Sequence, residues 1–311
     1  MAKFVLHNEE YESGYIEGVQ ENLEITSQSG FSPINVMSQA VKGDYEKETI
    51  LTGDIDFSSR DTNGTAARGI ENLEFAENIG VKASYKTKRV KIPYADIARS
   101  GFSNEMYSNA LGKKAAQAEM KYVLSLALKS AITAMEANAA IFVPTGAAWD
   151  KKDFIEAMRP LKDQAQNIQG WLTSTGLGFD LLAEATDKNR YGESGVVYGA
   201  SAGTFNIPMM TTALPALMDT TKHYLMGLYE DAIEIKLNST APSVVIKEWD
   251  DEENHYQTWS LDGACNIKLR NTPFIGTSAG NATEAILTTP ANWGKTGSDT
   301  NLMGSLTKVG A

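Results

Sequence analysis

Residues Ser103–Asn138 read SNEMYSNALGKKAAQAEMKYVLSLALKSAITAMEAN, and this stretch decides the fold. It contains no proline and a single glycine, Gly112, so its pattern predicts one long helix. Ser103 is suited to cap the N-terminus, and Glu105 lies in the first turn, where the helix dipole favours a carboxylate. At a rise of about 1.5 Å per residue, such a helix is on the order of 50 Å long.

The distribution of polar and apolar residues predicts that this helix is largely covered. Polar residues recur at a spacing of three or four and form a solvated face: Lys114, Gln117, Lys121, Ser125, Lys129, Thr133 and Glu136. One apolar side consists of Ala116, Met120, Val123, Ala127, Ala131 and Ala134, and a second consists of Leu111, Ala115, Ala118, Tyr122 and Leu126. A coiled coil is the alternative, which Gly112 and the lack of a sustained heptad repeat disfavour.

Composition bounds the class of protein. The chain has 311 residues, 42% of them hydrophobic, which is enough for the core of one large or two ordinary domains. A formal net charge of -11 disfavours general binding to nucleic-acid phosphates. No apolar run has transmembrane length, and residues 1–14 lack the apolar core of a signal peptide, so we expect synthesis in the cytoplasm. The single cysteine, Cys265, excludes an intrachain disulfide and is expected to be buried.

The chain before the long helix is weakly patterned. Residues 1–30 are polar, with a short helical possibility at Glu9–Glu21, and are predicted to form an arm. We expect a short helix within Phe31–Val41 and partial strand character in Thr49–Phe57. Residues Ser58–Gly69 are rich in turn-forming side chains.

Alternation returns in Val81–Ile92 and predicts a second strand. Together with Thr49–Phe57 it is interpreted as a long two-stranded excursion with a polar tip. An isolated hairpin is marginally stable in water, so we expect something outside the chain to hold it.

After the long helix, short elements alternate. We expect a helix over Lys151–Gln166 that Pro160 kinks or divides, and a helix over Phe179–Thr186 after a turn at Gly176–Gly178. The predicted short strands are Trp171–Ser174, Val196–Tyr198, Phe205–Thr212, Tyr224–Tyr229 and Ile233–Leu237. An antiparallel meander is predicted from Ser243–Glu248, Tyr256–Leu261 and Ala264–Arg270. From Thr277 onward, glycine, threonine, serine and asparagine predict an extended or loosely docked tail.

Motifs for catalysis, metal binding or cofactor binding are weak. Residues 199–203 read GASAG and match a nucleophile elbow around Ser201, but the following residues indicate a strand instead of the required helix. For such a triad, His223 or His255 is the available base and Asp231 or Asp250 the available carboxylate. The three histidines lack ligand spacing, Asp54 and Asp56 lack the rest of a calcium loop, and no phosphate-binding glycine motif occurs. We therefore expect no cofactor and no metal.

The basic residues are concentrated on the predicted excursion. The candidates for contact between subunits are Arg60, Arg68, Lys86, Lys88, Arg89 and Lys91. Contact with an acidic neighbour is the functional interpretation, and an ordinary solvated strand face is the alternative.

The order of these parts resembles the major capsid protein of tailed bacteriophages, the Hong Kong 97 fold. The resemblance is carried by KTKRVKIPYADIARSG (Lys86–Gly101), which leads directly into the long helix, by Trp171–Pro215, and by the meander at Ser243–Arg270. It implies an α+β chain divided into an N-terminal arm (1–30), an extended-loop region (31–100), the spine helix of a peripheral domain (101–146), an axial domain (147–240), the peripheral β-sheet (241–275) and a C-terminal extension (276–311).

The resemblance also implies a function. It indicates a structural protein without an active site that forms hexamers and pentamers of an icosahedral shell around double-stranded DNA. The implied partners are further copies of the chain and decoration or cement, scaffolding and portal proteins, with only non-specific contact to packaged DNA and no membrane. The implied location is the virion, after synthesis in the host cytoplasm.

Three alternatives remain at this point. The same fold is used by encapsulin-type nanocompartments, which enclose cargo enzymes instead of a genome. A different class is a serine hydrolase that uses Ser201. The third alternative is a compact module that binds a small molecule or a glycan.

Overall fold

The computed structural model describes residues 7–28, 31–39, 45–52, 74–93, 99, 101–144, 152–179, 209–219, 222–237, 243–251, 254–277, 282–297 and 299–310. Within these ranges two β-sheets are combined with two long helices, α1 (Asn8–Gln28) and α2 (Asn104–Glu136). None of the described helices is both long enough and apolar enough to cross a membrane.

The predicted long helix is confirmed as α2, with 33 residues. The side chain of Ser103 caps it by accepting a hydrogen bond from the backbone N–H of Met106 at 3.2 Å. The first apolar side, from Ala116 to Ala134, is buried throughout. The second side is covered only in part, because Ala118 and Tyr122 are exposed, so the expectation that both sides are covered is wrong at those positions.

The first sheet contains seven described strands in the order β1-β10-β12-β3-β2, with β4 and β11 also paired to β12. Their bounds are β1 Ile34–Ser38, β2 Tyr45–Thr52, β3 Glu74–Lys86, β4 Val90–Pro93, β10 Ile233–Leu237, β11 Ser243–Asp251 and β12 Asn254–Leu269. The predicted strand pair before α2 is confirmed as antiparallel β2 and β3, although the tip between them lies outside the described residues.

The second sheet contains six described strands in the order β5-β13-β9-β6-β7, with β8 paired to β9. Their bounds are β5 Phe142–Pro144, β6 Gly170–Ser174, β7 Met209–Thr212, β8 Met218–Asp219, β9 Lys222–Leu228 and β13 Gly304–Gly310. The long helix contacts β10 and β12 of the first sheet and β13 of the second, so it joins the two sheets through one apolar core.

Shorter helices cover the remaining edges. Helix α3 (Lys152–Met158) passes into a 3-10 helix at Arg159–Asn167, so the division expected at Pro160 is confirmed. The chain is already helical at residues 175–179, so the turn expected at Gly176–Gly178 is wrong. Helix α4 (Glu284–Leu287) lies near the C-terminal end of the described chain. The predicted elements at Phe179–Thr186 and Val196–Tyr198 lie mainly or wholly outside the described residues.

Three further expectations are corrected by tertiary pairing. The helix expected within Phe31–Val41 is strand β1, which pairs in parallel with β10. The last two strands of the meander are the single 16-residue strand β12, because one side of it pairs with β11 and then β10 along its length. The tail beyond Thr277 is not loosely docked, since β13 lies between β5 and β9 and Leu306 is fully buried.

The N-terminal segment also differs from the expected arm. Helix α1 is longer than Glu9–Glu21 and packs along α2 of the same chain. Tyr11 and Tyr15 are buried in this contact together with Trp259 of β12. In the described part of the N-terminal region, the chain therefore folds onto its own body.

Candidate assembly surfaces

The outer part of the β2–β3 ladder forms a two-stranded ribbon. Strand β2 pairs with β3 from Tyr45 opposite Val81 to Thr52 opposite Glu74, whereas β12 pairs with β3 only between Val81 and Lys86. Beyond Val81 the ladder thus lacks the β12 partner and projects from the sheet. This geometry leaves the outer pairs without the cover that the body of the sheet receives.

An apolar pair lies near the outer end of this ribbon. Leu51 and Phe75 are directly opposite each other and are 55% and 75% exposed. Phe75 has the same parity along β3 as Val81 and Ala83, both of which are fully buried, so it lies on the face that covers the core farther along the strand. The inward face of the sheet therefore continues, still apolar, beyond the core that it covers.

Ion pairs fix the root of the ribbon to the outward face of the first sheet. Lys236 of β10 bridges Glu46 of β2 and Glu234, and Lys268 of β12 bridges Glu234 at 2.5 Å and Glu48 of β2 at 3.1 Å. Burial favours neutral Glu234, but the hydrogen bonds from Lys268 and Lys236 dominate and lower its pKa. The pairs bind β2 to strands with which it shares no backbone ladder.

A glycine makes room for these ion pairs. Gly80 of β3 is directly opposite Glu46, and a Cβ at Gly80 would lie 3.0 Å from the Cβ of Lys268. A side chain there would stand between the carboxylates of β2 and the lysines of β10 and β12.

A β-bulge interrupts the edge formed by β3 and β4 along β12. The backbone N–H of Thr87 donates to the carbonyl of Leu261 at 2.8 Å, and Val90 is already opposite Trp259. Three steps along this edge therefore match two steps along β12, which leaves one extra residue among those that include Lys88 and Arg89.

This bulge gathers the predicted basic residues on one face. Lys86 is opposite Asp262 and Lys91 is opposite Thr258, so both lie on the outward face although their sequence parity differs. Lys91 Nζ lies 3.6 Å from the centroid of the Tyr256 ring, a cation–π contact. Lys247 of β11 is also opposite Thr258 and extends the group. The exposed residues Lys86, Lys88, Arg89, Lys91 and Lys247 are termed the basic strip.

Backbone contact holds α1 against α2. A Cβ at Gly112 of α2 would lie 2.3 Å from the carbonyl oxygen of Tyr11, and a Cβ at Gly14 of α1 would lie 2.3 Å from the carbonyl oxygen of Asn109. These glycines allow an approach that other residues would prevent. Lys113 of α2 adds ion pairs to Glu17 at 2.9 Å and Glu21 at 3.8 Å.

A buried carboxyl group connects three elements beneath the first sheet. Glu119 of α2 is 8% exposed and accepts hydrogen bonds from the hydroxyls of Tyr15 of α1 and Tyr85 of β3. Burial raises the pKa of Glu119, and the two tyrosine hydrogen bonds offset that rise only in part. Burial also raises the pKa of both tyrosines, so they remain donors at neutral pH.

The sequence analysis missed Glu119, although a signal for it was present. Glu119 follows Ala116 by three residues and precedes Val123 by four, so it lies within the first apolar side instead of on the polar face. A charged residue at such a position indicates a buried partner elsewhere in the chain. The exposed pair at Leu51 and Phe75 was also missed, because its exposure depends on where β12 stops pairing.

The remaining candidate residues are not brought together. Arg60, Arg68, Ser201, Asp54 and Asp56 lie outside the described residues. His223 shares a hydrogen bond of 2.7 Å with Ser174, and Asp231 accepts one from Asn35 at 3.1 Å. Cys265 is buried as predicted, and burial raises its pKa to about 12. Within the described ranges, no three His, Cys, Asp or Glu side chains are grouped so as to hold a metal ion.

Three solved structures share this fold at low sequence identity. They are Microbacterium phage Oxtober96 (TM-score 0.53, 13% identity, 88% of this chain and 89% of that chain covered), the Cyanophage Pam1 capsid asymmetric unit (0.53, 10%, 88% and 88%) and Mycobacterium phage Adephagia (0.50, 11%, 87% and 90%). No curated protein matches the sequence.

The long helix joined to two sheets, with an apolar ribbon projecting from one of them, defines a structural protein of the phage-capsid class with the Hong Kong 97-type fold. The chain belongs to the Gp13-like family, Major capsid protein 13-like, which matches residues 3–304. It is thus a phage major capsid protein, part of the shell of the virion, and the resemblance found in the sequence is confirmed.

This assignment decides between the alternatives. A capsid shell consists of many copies, so the protein is homo-oligomeric. The family is structural and non-enzymatic, which sets aside the hydrolase that uses Ser201. The nanocompartment and the ligand-binding module are replaced by the phage shell.

Proposed function

We propose that this capsid protein forms hexamers and pentamers of an icosahedral shell around double-stranded DNA, and that its β2–β3 ribbon lies across a neighbouring subunit. The observation that carries the proposal is the exposed pair Leu51 and Phe75 on the continued inward face of the first sheet. Burial of apolar surface contributes roughly 25 cal/mol per Å² removed from water, so a neighbour that covers the pair stabilises the assembly.

Folding and assembly are linked in this arrangement. A two-stranded ribbon buries too little surface to be stable alone, and contact with a neighbour supplies the missing cover. A contact between unlike surfaces of successive copies closes into rings when the rotation between copies allows closure. Small changes in that rotation then accommodate both hexamers and pentamers from one sequence.

The proposal also assigns roles to the two sheets. The first sheet and α2 form the peripheral domain, and the second sheet forms the larger part of the axial domain. Two sequence-based boundaries shift accordingly, because β10 belongs to the first sheet and β13 to the second. The net charge of -11 supports only non-specific contact with packaged DNA. Decoration, scaffolding and portal proteins remain predicted partners.

Electron microscopy of purified protein tests the proposal. We expect closed particles with five-fold and six-fold clusters of subunits from the wild-type chain. The double variant Leu51→Ser/Phe75→Ser should keep the unfolding free energy of the subunit within about 0.5 kcal/mol of wild type, because both side chains are exposed, yet give far fewer particles. The control Ile155→Ser removes an apolar side chain that is 59% exposed on α3 and should leave the particle yield unchanged.

Two results would contradict parts of the proposal. A wild-type chain that stays monomeric under all assembly conditions would argue against the shell described above. A normal particle yield from the double variant would instead remove the ribbon from the contact.

A further inference from the structure

The basic strip lies on the outward face of the first sheet, where this chain provides little neutralisation. Tyr256, Thr258, Ser260 and Asp262 of β12 share that face, whereas Gln257, Trp259 and Leu261 alternate with them and are buried. Within the described part of the chain, Lys86, Lys88 and Arg89 form no ion pair. The strip therefore carries positive charge on a protein whose net charge is -11.

Helix α1 presents the opposite charge. Glu9, Glu10 and Glu12 are exposed and form no ion pair with any described residue, while Glu17 and Glu21 also lie on the outer side and share Lys113. These five glutamates are termed the acidic face of α1. Tyr11 and Tyr15 point the other way and are buried against α2 and β12.

The two surfaces match in length and in their apolar centres. The strip from Lys86 to Lys91 is about 16 Å long at about 3.3 Å per strand residue. The acidic face from Glu9 to Glu21 is about 18 Å long at about 1.5 Å per helical residue. Val245 on the outward face of β11 is 42% exposed beside Lys247, and Ile16 is 49% exposed among the glutamates. Apolar residues with a charged rim are typical of a protein interface.

The two surfaces do not meet within one subunit. Helix α1 covers the inward face of the first sheet through Tyr11 and Trp259, whose ring centroids are 6.1 Å apart. The basic strip is on the outward face. A contact between them is therefore between unlike surfaces of two copies, the kind of contact that closes into rings.

We propose that the acidic face of α1 of one copy docks on the basic strip of the neighbouring copy, with Ile16 against Val245. This inference rests on the proposed shell assembly and names the partner of the basic strip. Opposite charges at this contact accelerate encounter between copies and fix their relative register.

A charge exchange between two variants tests the contact. The strip variant Lys88→Glu/Arg89→Glu makes both surfaces acidic, and the face variant Glu9→Lys/Glu12→Lys makes both basic. Each variant should fold normally, because the changed side chains are exposed, but should need about tenfold more protein than wild type to form particles at low salt. An equimolar mixture should form particles at close to the wild-type concentration, because each altered surface then meets an opposite charge on the other variant.

The control Lys114→Glu/Lys121→Glu makes the same change in net charge on the exposed face of α2 and should not form particles with the face variant. Normal assembly of the strip variant alone would overturn the proposal, as would a mixture of the strip and face variants that assembles no better than its components. Particle formation by the control mixed with the face variant would overturn it too, since net charge alone would then suffice. If wild-type protein forms no particles, the failure lies with the proposed shell and not with this contact.

Discussion

Glu119 shows how one side chain couples stability to pH. Its folded pKa is raised above the ordinary value near 4.5, because burial opposes the charge. The folded state therefore holds this proton more tightly than the unfolded state. The resulting stabilisation is fully present below the unfolded pKa and is lost as pH rises through the folded pKa.

We predict that Glu119→Gln becomes more stable relative to wild type between about pH 4 and about pH 8. Glutamine can accept a hydrogen bond from one tyrosine and donate one to the other, and it carries no buried charge. Glu119→Ala should lose about 2 kcal/mol, because the hydroxyls of Tyr15 and Tyr85 lose their acceptor. Unfolding by denaturant across this pH range is the measurement, with exposed Glu105→Gln as control. Parallel pH profiles for wild type and Glu119→Gln would contradict the assignment.

Gly112 provides a second residue-scale prediction with an unusual sign. In an exposed helix interior, glycine to alanine usually stabilises by about 1 kcal/mol. Gly112→Ala should instead destabilise by about 1–3 kcal/mol, because the added Cβ would lie 2.3 Å from the carbonyl oxygen of Tyr11. The reverse change at exposed Ala118 of the same helix, Ala118→Gly, should cost about 1 kcal/mol by propensity alone.

Denaturant unfolding gives both values, and amide hydrogen exchange in α1 should accelerate in Gly112→Ala. Stabilisation by Gly112→Ala would mean that α1 does not approach α2 as closely as described.

At the scale of elements, local pattern predicted what local forces determine. The long helix, its cap at Ser103 and the break at Pro160 follow from propensity and steric restriction within a few residues. Strand β1 was missed because residues 31–41 carry no strong strand pattern, and its conformation is stabilised by pairing with β10, about 200 residues later. The length of β12 was missed for the same reason, since two different partners pair with its two ends.

The assembly surfaces were predictable only in part. The sequence located Lys86, Lys88, Arg89 and Lys91, because charge is visible without a structure. It did not predict that a bulge turns Lys86 and Lys91 to one face, or that Lys247 joins them, because both depend on register against β12. The acidic residues of α1 were visible, yet their exposed position followed only from the packing of Tyr11 and Tyr15.

At the scale of the whole molecule, β13 joins distant parts of the chain. It pairs with β5 on one side and β9 on the other, and Lys308 reaches Glu136 near the end of α2 at 3.1 Å. We predict that a chain truncated after Met303 fails to fold, because two strand edges lose their ladder and the core loses Leu306.

Circular dichroism and the yield of soluble protein measure this outcome. The matched control Thr307→Val keeps the strand and removes a buried hydroxyl that has no hydrogen-bond partner, so it should be neutral or slightly stabilising. A truncated chain with a normal melting transition would contradict the central position of β13.

The place of β13 also has a consequence during translation. Its neighbour β9 leaves the ribosome about 80 residues earlier at a pace of roughly 5–20 residues per second, so the nascent chain waits several seconds for the strand that completes the sheet. A polypeptide released prematurely lacks that strand and should be recognised by host proteases as unfolded. Such defective copies are thereby kept away from growing particles, where a single misfolded subunit would block closure.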